Sequence, residues 1–117
     1  MSTPAEKKKK QVEFQEVSET VNRLAAHKGV TGVLILNLEG DILTQTTTPE
    51  VVGNPKLLAR TLMTAKTYIQ SIPQEQQEEK PTELSFLRIR TTREEVLVAP
   101  KYDYVLVVLQ DPNSAPL

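Results

Sequence analysis

The sequence predicts an α+β fold in which five mainly antiparallel strands form one sheet and two helices cover its faces. Three observations lead to this prediction. Apolar residues recur with helical spacing over residues 14–25 and 58–72. Each of these segments is followed by strand-length apolar runs, at 30–47 and at 84–109. The polar breaks within 84–109 have the length of turns, so the last three strands form an antiparallel meander and the order of elements is α-β-β-α-β-β-β.

The composition is that of a single globular domain. The chain has 117 residues, of which 38% are hydrophobic and 25% are charged, and this is enough to bury one core. Its 14 basic and 15 acidic residues give a net charge of −1, which provides no basic footprint for nucleic acid or for an anionic membrane. The lack of cysteine excludes disulfides and thiol catalysis. No secretory signal and no apolar run near the ~20 residues of a membrane span are found, so we expect a soluble intracellular protein.

We predict that residues 1–11 form a disordered basic tail, because they contain nothing to bury against the entropy of ordering. The lysines at 7–10 could contact an acidic surface or a phosphate, although a solvated tail requires fewer assumptions. The ordered domain is then expected over residues 12–112, with a short polar C-terminal tail at 113–117. Its first helix is amphipathic and should bury Phe14, Val17, Val21, Leu24 and Ala25.

The first two strands are expected to form a hairpin. Residues 30–38 contain an unbroken apolar run without alternation, which is typical of a central strand covered on both faces. The segment 37–41 includes a glycine for a tight turn. The next strand, 42–47, is rich in β-branched and polar residues, and its threonines indicate an exposed edge strand.

The second helix should begin near Asn54 and Pro55, because asparagine is a good cap and proline fits the first helical position. Its stripe facing the sheet comprises Leu58, Leu62, Ala65, Ile69 and Ile72. Three residues widen this arc beyond what one sheet contact requires, namely Leu57, Thr61 and Tyr68. They form either the shoulder of the core or the contact for a second helix. The polar segment 73–81 that follows is bracketed by prolines and is predicted to be a loop or a solvated extension of the helix.

The strand predicted at 84–91 has apolar residues on both faces and yet contains two arginines. Side-chain alternation places on one face Leu84, Phe86, Arg88 and Arg90, and on the other Ser85, Leu87, Ile89 and Thr91. An edge strand whose arginines discourage aggregation explains this pattern, and so does pairing with a second copy across a two-fold axis. The fourth strand should end at Pro100. The last strand, 104–109, is continuously apolar and should pair with the first at the centre of the sheet.

The sequence offers little for catalysis. Its four glycines are dispersed, so no glycine-rich phosphate loop exists. One histidine, His27, and no cysteine leave few residues for a catalytic triad. The glutamates of 73–81 are not fixed as a pair for acid–base work or for a metal. We therefore expect a protein that is not an enzyme and needs no cofactor.

Five segments together resemble the roadblock family of dynein light chains. They occur in the order and spacing of that family, at His27–Gly32, Asn37–Gly40, Phe86–Arg90, Val98–Pro100 and Tyr104–Pro112. The resemblance extends over residues 12–112. Two features depart from the compact form of the family, the lysine-rich tail and the long 73–81 loop, and they indicate a divergent member such as an axonemal light chain.

The resemblance implies a homodimer or heterodimer in which the third strands pair into a continuous ten-stranded sheet and the second helices lie against each other. The dimer interface would include Leu57, Thr61, Tyr68, Leu84, Phe86, Arg88 and Arg90. A groove along the third strand would receive a partner helix through Ser85, Leu87 and Ile89. The implied partner is a dynein intermediate chain, and the implied location is the cytoplasm and cytoskeleton or a ciliary axoneme. Because function in this fold resides in its surface, a roadblock-type scaffold or regulator of a small Ras-like GTPase is the alternative.

Overall fold

The computed structural model describes residues 2–46, 53–73 and 80–113. Within these ranges the elements follow the predicted order α-β-β-α-β-β-β, which confirms the α+β fold. Their bounds are α1 Pro4–Ala25, β1 Val30–Asn37, β2 Ile42–Gln45, α2 Pro55–Gln70, β3 Leu87–Arg90, β4 Glu95–Lys101 and β5 Tyr104–Gln110. Three of the predicted features lie wholly or mostly outside the described residues: the 73–81 segment, the C-terminal tail, and the end of the threonine run after Thr46.

The strands form one five-stranded sheet in the order β2-β1-β5-β4-β3, with every neighbouring pair antiparallel. β1 and β5 pair at its centre, with Leu34 opposite Val107 and Leu36 opposite Val105. This pairing confirms the prediction made from their unbroken apolar sequences. β2 and β3 are the two edge strands, so the edge position expected for the threonine-rich second strand is also confirmed.

The two helices lie on opposite faces of the sheet, because successive side chains of a strand point to opposite sides. On the face covered by α2 the buried core consists of Leu34, Leu36, Leu62, Val96, Val98, Val105, Val107 and Leu109. On the face covered by α1 it consists of Val17, Val21, Val33, Ile35, Leu106 and Val108. Burying one such aliphatic side chain contributes about 1.5–3 kcal/mol. The central strands therefore carry two cores, one on each side.

α1 begins at Pro4, so the prediction of a disordered tail over residues 1–11 is wrong from that residue onward. Thr3 caps the helix by accepting a hydrogen bond at Oγ1 from the Glu6 amide at 3.1 Å. From Phe14 onward the helix is packed against the sheet. Adding turns to an existing helix requires no new nucleation, and lysine is a good helix former. The extension is therefore helical although its side chains are exposed.

The turn between β1 and β2 touches the start of α2. The Asn37 side chain fixes this turn by accepting hydrogen bonds from the amides of Glu39 at 3.0 Å and Asp41 at 2.9 Å. Gly40 has a φ of +92°, and a Cβ atom there would lie 2.5 Å from Cα of Lys56. The position therefore requires glycine both for its left-handed backbone and for its close approach to the helix.

We expect Gly40→Ala to lower the free energy of unfolding by about 2–4 kcal/mol, because it combines backbone strain with a steric clash. Gly53→Ala is the matched control, since Gly53 has a φ of +76° but nothing within 4 Å of the Cβ position. Strain alone should lower its stability by about 1 kcal/mol. Urea unfolding followed by circular dichroism measures both variants. Equal losses would show that the contact with Lys56 is not what restricts this turn.

Candidate functional site

β3 provides an open edge to the sheet. Within the described residues it pairs only with β4, with Leu87 opposite Val98 and Ile89 opposite Val96. Its other side presents backbone amide and carbonyl groups, and such an edge can accept another strand. The strand is shorter than expected, because it starts at Leu87 and not near Leu84.

The side chains around β3 are divided between the two faces of the sheet. Leu87 and Ile89 are half-buried and pack against the core beneath α2, and Leu84 packs against the same core. Phe86 and Arg88 line a groove on the opposite face. The predicted grouping of Leu84 with Phe86 and Arg88 is therefore wrong. Alternation does not reach back to Leu84, because the residues before β3 have no regular strand conformation.

The apolar groove lies between the C-terminal part of α1 and β3, and its volume is about 240 Å³. It is lined by Leu24, Ser85, Phe86, Arg88, Leu97, Ala99, Leu106 and Val108. α1 packs against β1 and β5 through Val17 and Val21 and leaves the outer strands of this face open. Phe86 is 50% exposed at the rim. Of the residues predicted to bind a partner, only Ser85 lines this groove, since Leu87 and Ile89 point to the other face.

An ion pair connects one residue of the groove wall, Arg88, to a buried carboxylate beside the groove. Nη1 of Arg88 lies 2.9 Å from Oε1 of Glu95, in ion-pair contact but without hydrogen-bond geometry. The Glu95 side chain is 9% exposed and that of Arg88 is 36% exposed. The Arg88 guanidinium also lies 5.9 Å from the centre of the Phe86 ring, a cation–π contact. Arg88 therefore links a buried carboxylate to the exposed aromatic ring that lines the groove.

Glu95 was not singled out from the sequence, because its contact with Arg88 depends on strand register. In the ladder Glu95 lies opposite Arg90, which makes it the diagonal neighbour of Arg88 on the same face. An acidic residue at the start of an otherwise apolar strand was the available signal. The Arg90 guanidinium donates a hydrogen bond of 3.4 Å to the Pro112 carbonyl. Arg90 thus fixes the end of the described chain next to β3.

The outer surface of α2 carries an uncharged stripe formed by Leu57, Thr61, Thr64 and Tyr68, which are spaced to share one helix face. Leu57 is 53% exposed and Tyr68 is 69% exposed. The Thr61 hydroxyl donates to the Leu57 carbonyl at 2.8 Å, and the Thr64 hydroxyl donates to the carbonyl of the residue four positions earlier at 3.0 Å. Both hydroxyls are thus satisfied within the helix. The stripe predicted from Leu57, Thr61 and Tyr68 is present on the surface, and Thr64 completes it.

The described residues contain no group of three or more His, Asp or Glu side chains arranged to hold a metal ion. No helix in the described ranges is both long and apolar enough to cross a bilayer. The features that stand out are an open strand edge, an apolar groove and an uncharged helix stripe. Together they define a small α+β protein-interaction domain.

The family comparison identifies which interaction domain this is. The profile of the Roadblock/LC7 domain matches residues 16–110. The chain belongs to this family, and the resemblance seen in the sequence is confirmed. Roadblock-domain proteins are generally non-catalytic scaffolds or regulators, and they form oligomers such as dimers or tetramers.

Solved structures with this fold share little sequence with the chain. The Roadblock/LC7 domain from Streptomyces avermitilis has a TM-score of 0.63 at 9% identity, covering 79% of this chain and 74% of its own. Myxococcus xanthus MglB has a TM-score of 0.66 at 14% identity, covering 88% of this chain and 75% of its own. An MglB with a tetrameric arrangement has a TM-score of 0.56 at 15% identity, covering 90% and 76%. At such identities these structures establish the fold.

Replacing Arg88 tests the ion pair. We expect Arg88→Met to lower the free energy of unfolding by about 2 kcal/mol, because it leaves the Glu95 carboxylate buried without a counter-charge. The double variant Arg88→Met/Glu95→Gln should recover most of this loss, since it removes the charge as well. Arg93→Met, at an exposed arginine of the β3–β4 turn, should have little effect. Denaturant unfolding of all the variants measures this, and a double variant no more stable than Arg88→Met would contradict it.

Proposed function

We propose that this chain is a non-catalytic scaffold that acts as a dimer and binds a segment of a partner protein in the apolar groove. The open edge of β3 is the observation that carries the proposal. An unpaired edge is an aggregation hazard unless another strand or element covers it. Pairing with β3 of a second copy about a two-fold axis satisfies both edges and joins two five-stranded sheets into one of ten strands.

The uncharged stripe on α2 supports the same dimer. Covering Leu57 and Tyr68 removes two large exposed side chains from water, and each contributes up to about 1.5–3 kcal/mol when fully buried. The hydroxyls of Thr61 and Thr64 already donate to helix carbonyls, so burying them leaves no unsatisfied donor. A contact between two α2 stripes therefore has no large desolvation penalty.

The apolar groove lies on the α1 face and stays accessible in a dimer that uses the α2 face. Because Phe86 and Arg88 belong to the edge region, pairing of two β3 strands places two copies of the groove next to each other across the seam. Its lining is apolar apart from Ser85 and Arg88. Such a surface suits the apolar face of an amphipathic partner helix.

Two partners fit this proposal. The match to the Roadblock/LC7 domain and the similarity to MglB structures agree with a general roadblock scaffold or regulator, and nothing in them is specific to dynein. We therefore place first a role as scaffold or regulator of a small Ras-like GTPase. A dynein intermediate chain is the second candidate, because the groove suits a helical segment. In that case the protein would be a dynein light chain of the cytoplasm and cytoskeleton or of a ciliary axoneme.

The dimer is tested by placing charges on the α2 stripe. We expect the wild-type chain to sediment as a dimer and Leu57→Glu/Tyr68→Glu to weaken dimerisation about 100-fold or more, because two carboxylates would be desolvated in the interface. Met63→Glu is the matched control, since Met63 is 39% exposed on another face of α2. Sedimentation equilibrium measures the dissociation constants. A wild-type chain that remains monomeric at high micromolar concentration would refute the dimer.

The partner is tested by altering the groove. We expect Phe86→Ser to reduce capture of the partner from cell extract about tenfold, because a large apolar anchor is lost. Leu43→Ser, at a 45% exposed leucine on the opposite edge strand, should capture as much as wild type. Mass spectrometry of the chains lost with Phe86→Ser distinguishes the candidates. A Ras-like GTPase supports the first, a dynein subunit supports the second, and identical capture by both variants would refute the groove as the binding site.

A further inference from the structure

Pairing of β3 with a second copy is restricted by the direction of its side chains. In an antiparallel pair, residues that lie opposite each other point to the same side of the sheet. Leu87 and Ile89 point toward the core beneath α2, whereas Arg88 lies on the side of the groove. A two-fold axis therefore has to place one residue of β3 opposite its own copy, because any other arrangement would set a residue of one side against a residue of the other side.

The regular strand, Leu87–Arg90, has two interior residues that can lie on this axis, Arg88 and Ile89. With Ile89 on the axis, Arg88 lies opposite Arg90 of the second copy, and like charges directly opposite each other are destabilising. With Arg88 on the axis, Leu87 instead lies opposite Ile89 of the second copy, and Phe86 lies opposite its Arg90. An axis at either end of the strand would pair most of the strand with residues outside it.

The arrangement with Arg88 on the axis also has the better charge balance. Two Arg88 side chains meet there, but Nη1 of each lies 2.9 Å from the Glu95 carboxylate of its own chain, so the four groups together have no net charge. Arg90 donates to the Pro112 carbonyl and forms no ion pair within the described residues. Opposite a second arginine it would add an uncompensated charge, whereas opposite an aromatic ring it gains a favourable contact.

Phe86 is the aromatic residue that Arg90 of the second copy meets in this arrangement. It is 50% exposed, and it lines the groove together with Arg88, whose guanidinium lies 5.9 Å from the ring centre. Cβ atoms of opposite residues in an antiparallel pair are about 4.5–5.5 Å apart, so an arginine side chain can reach the ring. The second guanidinium would cover part of the ring that water now contacts.

We propose that the two copies join with Arg88 on the two-fold axis and that Arg90 of each copy lies against the Phe86 ring of the other, at the rim of its groove. This arrangement rests on the proposed dimer and adds a residue to its binding site, because each groove then has a wall that one chain cannot supply. A partner segment in the groove contacts both copies. Its binding therefore favours the dimer, since a monomer offers only an incomplete groove.

Disulfide cross-linking tests the register, and the chain suits this method because it contains no cysteine. Phe86→Cys is mixed with an affinity-tagged chain that carries one of three substitutions, Arg88→Cys, Arg90→Cys or Thr92→Cys, and the mixture is oxidised after subunit exchange. We expect Arg90→Cys to cross-link to Phe86→Cys about tenfold faster than the other two, because only opposite residues come within disulfide distance. Faster cross-linking to Arg88→Cys or Thr92→Cys would overturn the proposal, since it would move the axis by one residue.

A mixed dimer tests whether Phe86 and Arg90 act between chains. Phe86→Ser and Arg90→Met each remove both contacts from their own dimers, but a dimer with one chain of each kind keeps one contact. We expect this mixed dimer, after correction for the two ways of forming it, to be about threefold tighter than the geometric mean of the two variant dimers, as one cation–π contact predicts. Titration of fluorescently labelled chains measures the three dissociation constants. A mixed dimer equal to the geometric mean would overturn the proposal.

Arg93→Met replaces Arg90→Met in the matched control, because Arg93 is an exposed arginine of the β3–β4 turn. Its mixed dimer with Phe86→Ser keeps one of the two contacts that the Arg93→Met dimer has, so its affinity should equal the geometric mean. Sedimentation of the wild-type chain separates the two possible failures. A monomer would refute the proposed dimer itself, whereas a dimer with another register would refute only the position of the axis and the contact of Arg90.

Discussion

Because β1 and β5 are buried on both sides, each needs a covering layer above and below the sheet, and this requirement organises the rest of the chain. Val33 and Ile35 face α1, whereas Leu34 and Leu36 face α2. Neither helix could be removed without exposing one side of the central pair. The outer strands β2, β4 and β3 then need less cover, and this is where the molecule has surface available for partners.

The two edges of the sheet are built differently. Beside the end of β2, the Thr46 hydroxyl accepts a hydrogen bond of 2.7 Å from the Val33 amide, so a side chain supplements the ladder. β3 instead has half-buried Leu87 and Ile89 on one face and exposed Arg88 on the other, where Phe86, just before the strand, is also exposed. One edge is polar and suited to solvent, while the other carries apolar groups that a further layer of protein can cover. The asymmetry explains why recognition concentrates at β3.

The elements, their order and the central strand pair could be predicted from the sequence. Burial on both faces requires unbroken apolar runs, and such runs can be recognised in the sequence itself. The helical conformation of the N-terminal segment could not be predicted, because exposed lysines are equally compatible with a solvated helix and with a disordered tail. The prediction also failed at Leu84, since alternation holds only within a regular strand. The pairing of Arg88 with Glu95 depends on the register of two strands, which no local pattern specifies. For the candidate site, the sequence therefore located the helix stripe and β3 but not the composition of the groove.

The length of α1 has a consequence for stoichiometry. A helix of 22 residues is about 33 Å long and acts as a stiff spacer. If two copies join through β3, each assembly carries two such spacers, with a fixed separation and direction. A partner with two matching segments would then bind the second one at high effective concentration, and its avidity would exceed either single affinity. A partner whose two segments are the wrong distance apart would gain no avidity. The assembly would therefore select partners by the distance between their binding segments.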